Sequence, residues 1–498
     1  MRISTFFKFF LFALVLISVG LYTFLGTSSG KQYLRDLASQ KLSQKSGLEV
    51  IFTSINLDQY PQVVLEMNIE RKAKLTLTGT LTSSSLDMDY NLISDCIATD
   101  VCKIDDNINI KGHVNGPYSR MLIQGEGEAL DGNVSYHVLK YPDKVENLGI
   151  FMRDVNSTKL FTLLGYEEII KGKANIDVNF KFMEKDNRQG SFVYDIKDSN
   201  LSGLPLSLHA QVKIDGMLHT FKSNITSPYL NLNISNGQYD QAKKLARASY
   251  ILDVKDLSRL ETLLGYKYLG PFYATGEMIY NKYFMITGHS KSFGGSLDYY
   301  FEKDGLYIDL DGVSFKEFMK IFPYPSILNA NVTGKMYYNF IRETLVVNTE
   351  LNRAKVIHTK LVRLIRKKST VNLKREIFNN SRLDASYHDG LLVGDLILKN
   401  KRHHLYLTNI IMNSKENSID TYFDVKMQRK EFSGKVYGSL DDPKVNLRMQ
   451  KLIKYEMSRQ MDRIMGTKAT KAIRQIPMEG LAEGMAAGAT ASFIKIFF

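Results

Sequence analysis

Alternation of apolar and polar side chains with a period of two constrains this chain more than any other feature. Ile176, Val178, Phe180 and Phe182 alternate with Asn175, Asp177, Asn179 and Lys181. Leu206, Leu208, Ala210, Val212 and Ile214 repeat the pattern, and Leu230, Leu232 and Ile234 are set between Asn231, Asn233 and Ser235. Leu75 and Leu77, Leu405 and Leu407, and Val445 and Leu447 follow the same period. Successive strand side chains point to opposite faces, so each run makes a strand with one apolar face and one wet face. Asp215-Gly216, Asn236-Gly237, Asp304-Gly305 and Asp389-Gly390 separate runs with hairpin-turn chemistry. The expected fold is mainly β: an elongated, curled antiparallel sheet groove with short interspersed helices.

The helices recur as a unit. Leu160-Phe161-Thr162-Leu163-Leu164-Gly165-Tyr166 is repeated as Leu260-Glu261-Thr262-Leu263-Leu264-Gly265-Tyr266, with a looser copy at residues 318–324. Asp154, Asp256 and Ser314 are candidate N-caps, and Gly265 suits a left-handed helix end. A strand follows each copy. Thr275-Gly276-Glu277-Met278-Ile279-Tyr280-Asn281 parallels Thr333-Gly334-Lys335-Met336-Tyr337-Tyr338-Asn339. The leucines of these units serve helix-to-sheet packing, and the serial arrangement favours an extended sheet.

Both ends differ from this middle. Residues 9–25 contain no ionisable side chain and, with Phe6 and Phe7, approach the ~20 residues that cross a bilayer core. Arg2 and Lys8 precede them, which keeps the N-terminus cytoplasmic and sends the rest outward. A cleaved signal peptide is the rival reading, with residues 26–30 as a weak cleavage region. The expected order is a cytoplasmic stub at 1–8, a transmembrane anchor at 9–25, and a linker with an amphipathic helix at 26–47. A repeat-containing β-groove at 48–352 follows, then a basic helix with further groove strands at 353–449, and helices with an apolar tail at 450–498. Anchored or cleaved, the chain is expected to hold its bulk in a non-cytosolic compartment.

Charge narrows the partners. The net charge of +13 suits an anionic lipid surface or nucleic acid; an exported chain rarely meets nucleic acid, which favours lipid headgroups, and a merely basic surface is the alternative. Residues 353–382 hold ten Lys or Arg against the single acid Glu376. Within them, residues 356–368 suit a basic amphipathic helix, making Lys360, Arg363, Arg366, Lys367 and Lys368 headgroup-contact candidates; a solvated face capping the sheet is the alternative. The only cysteines, Cys96 and Cys102, are candidates for a disulfide closing a short loop, or for free thiols. No metal site and no cofactor are expected. His403 and His404 are adjacent, so on a strand they cannot share a metal. Gly26-Thr27-Ser28-Ser29-Gly30 formally fits a hydrolase elbow but follows the apolar segment instead of a core strand. No catalytic constellation emerges, and the chain is not expected to be an enzyme.

The order of motifs resembles a known family. The apolar segment leads to a helix ending in Ser46-Gly47-Leu48-Glu49-Val50, then Ile55-Asn56-Leu57-Asp58-Gln59-Tyr60-Pro61, the leucine-glycine units, and Tyr437-Gly438-Ser439-Leu440-Asp441-Asp442-Pro443-Lys444-Val445-Asn446-Leu447. This series, spanning most of residues 1–447, is similar to the AsmA-like proteins of Gram-negative envelopes. That resemblance implies a chorein-type sheet with an apolar groove, anchored by a single pass in the inner membrane with the bulk of the chain in the periplasm, and serving phospholipid transport and outer-membrane integrity. Phospholipids, the inner membrane and an outer-membrane or periplasmic protein are the partners to expect. The groove-lining candidates are Leu75, Leu77, Ile176, Val178, Phe180, Phe182, Leu206, Leu208, Val212, Leu230, Leu232, Ile234, Leu405 and Leu407. An assembly factor for outer-membrane proteins and a structural scaffold with a filled core are the competing functions.

Overall fold

The computed structural model describes residues 28–465 except 71, 98–103, 167–169, 186, 323–325, 358–361, 364–365, 368–370 and 449. It is mainly β and antiparallel. Two compact units are present: residues up to Tyr266 with Glu277–Lys282, and Lys267–Gly276 with the residues from Tyr283 onward.

The first unit opens with helix α1 (Ser28–Ser46) and holds fourteen strands. The first five are β1 (Val50–Gln59), β2 (Gln62–Ile69), β3 (Ala73–Leu81), β4 (Ser85–Ile97) and β5 (Ile104–Pro117). Next come β6 (Met121–Ala129), β7 (Gly132–Lys140) and β8 (Val145–Asn156), then helix α2 (Ser157–Leu164). The unit continues with β9 (Lys171–Glu184), β10 (Asn187–Leu201), β11 (Leu204–Asp215), β12 (Leu218–Thr226), β13 (Leu230–Asp240) and β14 (Leu245–Val254). A 3-10 turn (Leu257–Leu260) and a single helical turn, α3 (Glu261–Leu264), follow. Strand β15 (Phe272–Asn281) is divided between the units.

The second unit contains β16 (Tyr283–Ser290), β17 (Ser296–Glu302), β18 (Gly305–Ser314), helix α4 (Phe315–Met319), β19 (Leu328–Asn339) and β20 (Thr344–Val356). After a 3-10 turn (Leu373–Arg375) come β21 (Asn380–His388), β22 (Leu391–Lys399), β23 (His404–Asn413), β24 (Ser418–Met427), β25 (Lys430–Ser439), β26 (Pro443–Arg448) and helix α5 (Gln450–Met465). Within each unit every strand pairs antiparallel with its neighbours in sequence, and among the described residues no pairing closes the sheet.

Three of the four expected dipeptides fall at hairpin turns, and one of them, Asp389-Gly390, supplies both loop residues. Asp389 and Gly390 both take positive φ (49° and 85°), the requirement of a tight two-residue hairpin. Gly216 (φ 57°) sits between β11 and β12, and Lys303-Asp304 joins β17 to β18. Asn236-Gly237 is not a turn: it lies inside β13, where Asn236 (φ 52°) accompanies a register shift between Ser235 and Gln238. Asn-Gly serves an αL bulge as readily as a turn, and the two cannot be told apart from the dipeptide alone.

Bulges also launch the helices. Asp154 takes φ 56° as β8 shifts register between Met152 and Val155, and the N-cap of α2 is Asn156, not Asp154. The Asn156 side chain accepts from Thr158 N and Lys159 N, while Gly165 (φ 82°) ends the helix. Asp256 and Ser314 do act as N-caps, accepting from Ser258 N and Glu317 N.

The expected anchor at residues 9–25 lies outside the described residues, as do Lys360, Lys368, Cys102 and the tail beyond Met465. Among the described residues no helix is long and apolar enough to cross a membrane. The expected basic helix cannot begin at Val356, because β20 runs through the basic segment to that residue. Of its remaining residues, Val362 is buried in the second unit's core, and Arg363, Arg366 and Lys367 are exposed. Cys96 is disulfide-bonded.

Candidate functional site

One face of each unit is apolar, and helices cover part of it. In the first unit the register places Leu65, Leu77 and Tyr90 in one cross-strand row, continued by Gly112, Gly125, Tyr136, Ile150, Val178, Phe192, Val212 and Phe221. The opposite face is polar. There His113 lies 2.9 and 2.8 Å from Asp87 and Asp89, and His209 pairs with Asp195 and, in the second unit, His289 with Asp298. Two faces of contrasting polarity follow directly from the alternation in the strands.

The apolar row changes character along its length. At its start the wall is sealed. Leu65 and Leu77 have no exposed surface, and with Met67, Leu75, Leu81 and Met88 they share one buried cluster with Leu42 of α1, against which Ala38 packs. Leu75 and Leu77 are therefore core residues and do not line an open groove. A large apolar side chain needs a cover, and α1 contributes to it together with residues of β1 to β7.

Over β9 to β13 the cover is one-sided. Helix α2 sits at the ends of the strands where Ala174, Ile176 and Ile196 are buried beneath Leu160. Ser157 at the start of α2 donates to Ile170 O (2.7 Å) and Gly172 O (2.8 Å), which ties the helix to β9. Lys159 reaches over the sheet to Asp106 (2.8 Å), whose side chain is 1% exposed, and to Asp131 (2.5 Å). Asp106 also accepts from Leu130 N. Burial alone would lower the Lys159 pKa, but its hydrogen bonds to the two carboxylates outweigh that and raise it. The Asp131 carboxyl is held below its ordinary range by Lys159 and then Asn156.

Away from α2 the same strands leave their apolar residues half-buried: Val178, Phe180 and Phe182 on β9, Phe192 on β10, Leu208, Val212 and Ile214 on β11, Phe221 and Ile225 on β12, Leu230, Leu232 and Ile234 on β13. Ile176 and Leu206 belong instead to the buried end. The surface is smoothed by rings lying across glycines of the next strand. A Cβ on Gly190 would meet the Phe180 ring at 2.5 Å, and one on Gly237 would meet the Phe221 ring at 2.5 Å. Phe192, Ile214, Phe221 and Ile225 were not among the groove-lining candidates, although Ile214 belongs to the alternation. For Phe221, a mid-strand glycine opposite an aromatic, Gly237, is the signal that points to it.

Tyr194 marks the boundary between covered and open wall. Its hydroxyl is buried and makes no hydrogen bond among the described residues. Burial pushes its pKa up to about 12.

The second unit repeats the scheme. Phe315 and Phe318 of α4 pack on Phe293, Leu310 and Val313. Leu405 is buried beneath the segment carrying Val371, Leu373 and Phe378, so it is core, while Leu407 is half-buried beside it. Toward the other strand ends, Phe301, Leu306, Tyr338 and Leu345 form a half-buried row in register.

Other candidate sites are modest. A cleft of about 390 Å³ on the polar face of the first unit is lined by Asn115, Arg120, His137 and Asn147 among others. His403 pairs with Glu376 (2.9 Å) and His404 with Asp424 (2.6 Å). Among the described residues no group of three or more His, Cys, Asp and Glu side chains is placed to hold a metal ion. No protein-family model matches the chain, and no curated protein matches it.

Proposed function

We propose that the half-buried apolar face is a binding surface for phospholipid acyl chains, and that the protein shelters lipids in the periplasm while anchored to the inner membrane by residues 9–25. The observation that carries this proposal is the contrast within one cross-strand row: Leu65 and Leu77 are fully buried, whereas Val178, Phe192, Val212 and Phe221 are only half-buried. Each methylene moved from water onto such a surface contributes ~0.8 kcal/mol. Continuous rows of Val, Ile, Leu and Phe with few polar groups suit many chains of similar chemistry and do not select one headgroup. The AsmA-like resemblance favours the same activity and the same envelope setting, with an outer-membrane or periplasmic protein as a further partner. The sealed stretches at Leu77 and Leu405 favour a scaffold as the second reading.

Photo-crosslinking side chains at Phe180 and Ile214 distinguish these. The expected product, read by mass spectrometry of the purified full chain, is a phospholipid adduct at both positions and none at Leu77. A polypeptide adduct would instead favour an assembly factor for outer-membrane proteins. No adduct at any position would favour the scaffold.

A further inference from the structure

The most exposed large apolar side chain of the described residues is at a hairpin tip, not on the groove wall. Ile341 is 79% exposed and Phe340 beside it 51% exposed, at the turn between β19 and β20. Such a pair in a flexible loop would fold back. This tip is built so that it cannot.

Asn339, itself 7% exposed, holds it from below. Its side-chain oxygen accepts from Ile341 N (3.1 Å) and Arg342 N (2.8 Å). Its amide donates to Asp304 Oδ2 (2.9 Å) and Tyr337 Oη (3.2 Å). Phe340 N donates to Asp304 O (2.8 Å) of the adjoining turn, and Arg342 O lies 3.1 Å from His388 Nδ1. The adjoining β17–β18 turn and the end of β21 thus hold the turn, and Ile341 projects from a hydrogen-bonded base. The Phe340 ring packs edge-on against Tyr338 (4.9 Å) and Phe301 (5.7 Å), the half-buried residues of the second unit's apolar face. The protrusion is therefore continuous with the open side of that face.

We propose that the Phe340–Ile341 tip inserts into a lipid bilayer and sets the open edge of the second unit's apolar face against it, as a lateral port for acyl chains. The port rests on the acyl-chain function proposed above. The insertion does not. Two projecting side chains are far less than the roughly 800 Å² per partner of a stable protein interface, whereas a convex apolar tip needs no matching surface in a bilayer. The charges nearby are of both signs, with Glu343 in the same turn and Asp304 in the adjoining one. Arg342 flanks the tip, and Lys303 of the adjoining turn lies over the Tyr283 ring at 4.6 Å, Tyr283 itself being 52% exposed.

The test uses the full chain reconstituted in phosphatidylethanolamine/phosphatidylglycerol vesicles, with Ile341→Cys carrying an environment-sensitive fluorophore. Blue-shifted emission and quenching by brominated lipid are expected at position 341 and not with Lys401→Cys, at a turn between β22 and β23. Absence of quenching at 341, or shielding that requires an added protein, overturns the insertion. Ile341→Asp is then expected to slow phospholipid transfer between vesicles at least tenfold while lipid adducts at Phe180 persist. Unchanged transfer overturns the port. Loss of the Phe180 adduct in the unsubstituted chain overturns the acyl-chain function instead, and quenching at 341 alone then decides whether the tip inserts.

Discussion

The hydroxyls of Tyr90 and Tyr136 meet at 2.5 Å across the glycines of β5 and β6. Tyr90 also donates to Gln124 O (3.0 Å). A Cβ on Gly125 would lie 3.0 Å from Tyr136 Cζ, and one on Gly112 would fall inside contact distance of the Tyr90 ring. The two rings thus fill the space that the glycines leave, at the point where the wall passes from sealed core toward open face. Gly112→Ala is expected to cost about 1–3 kcal/mol or more, because the obstruction includes the rigid carbonyl of Gln124 as well as the ring. Urea unfolding with an unchanged m-value checks it, and a neutral result would mean the rings are not packed this way.

The same tyrosines set an alkaline limit. Burial raises the pKa of both Tyr90 and Tyr136, and that of Tyr194 to about 12. A group whose folded pKa lies above its unfolded value, about 10 for tyrosine, stabilises fully below that value. The stability is lost as pH rises toward the folded pKa. Thermal midpoints are therefore expected to fall above about pH 10, and less steeply in Tyr90→Phe. Tyr194→Phe removes a buried hydroxyl without a partner, so it is expected to leave stability unchanged or raise it by about 1 kcal/mol.

The alternation in residues 176–182 and 206–214 made the strands and their apolar face legible from sequence, because the two-residue period reports side-chain direction directly. It does not report cover. Leu77 and Val178 are indistinguishable in pattern, yet Leu77 falls within the buried cluster of β1 to β7 and Leu42, while Val178 is half-buried. The bulges were hidden for a related reason. Asp154 and Asn236 are residues that cap helices, turn hairpins and kink strands with equal ease, and the neighbouring strand decides among these. The Phe340–Ile341 tip breaks the alternation at a turn, which from sequence alone looks like a strand end.

Lys159 fastens α2 over the closed end of the wall. Lys159→Met removes the cation from the buried Asp106 carboxylate, which keeps the Leu130 N–H but loses its countercharge. The expected loss is about 3 kcal/mol, the scale for uncovering half of a buried ion pair. Asp131, held low by Lys159, stabilises above its unfolded pKa near 3.9, and that stability is lost as pH falls through the folded value. Lys159, held high, stabilises below about pH 10.4 and loses this as pH rises. The variant should therefore show its deficit between about pH 4 and pH 10 and converge with the unsubstituted protein at the acid extreme. Thermal midpoints across that range read the difference, and a deficit independent of pH would show that Lys159 acts by packing alone.

A charge placed at two points of one cross-strand row separates core from binding face. Leu77→Asp buries a carboxylate where no surface is exposed, so the group must remain neutral or unfold its surroundings. Loss of more than 4 kcal/mol and failure to accumulate folded protein are expected. Val178→Asp puts the same group on a half-covered strand position, beside Asp177 and within reach of water. Its carboxylate can stay partly hydrated on the open side of the wall, so the cost is expected to be nearer 1–2 kcal/mol, with the β-type circular dichroism retained. What it removes is the apolar continuity between Ile150, Phe192 and Val212 that an acyl chain would lie along. Bound phospholipid in the purified variant is therefore expected to fall at least tenfold while the fold persists. If Val178→Asp keeps its lipid, the half-buried face is not where acyl chains rest; if it unfolds as Leu77→Asp does, that stretch of wall is core as well.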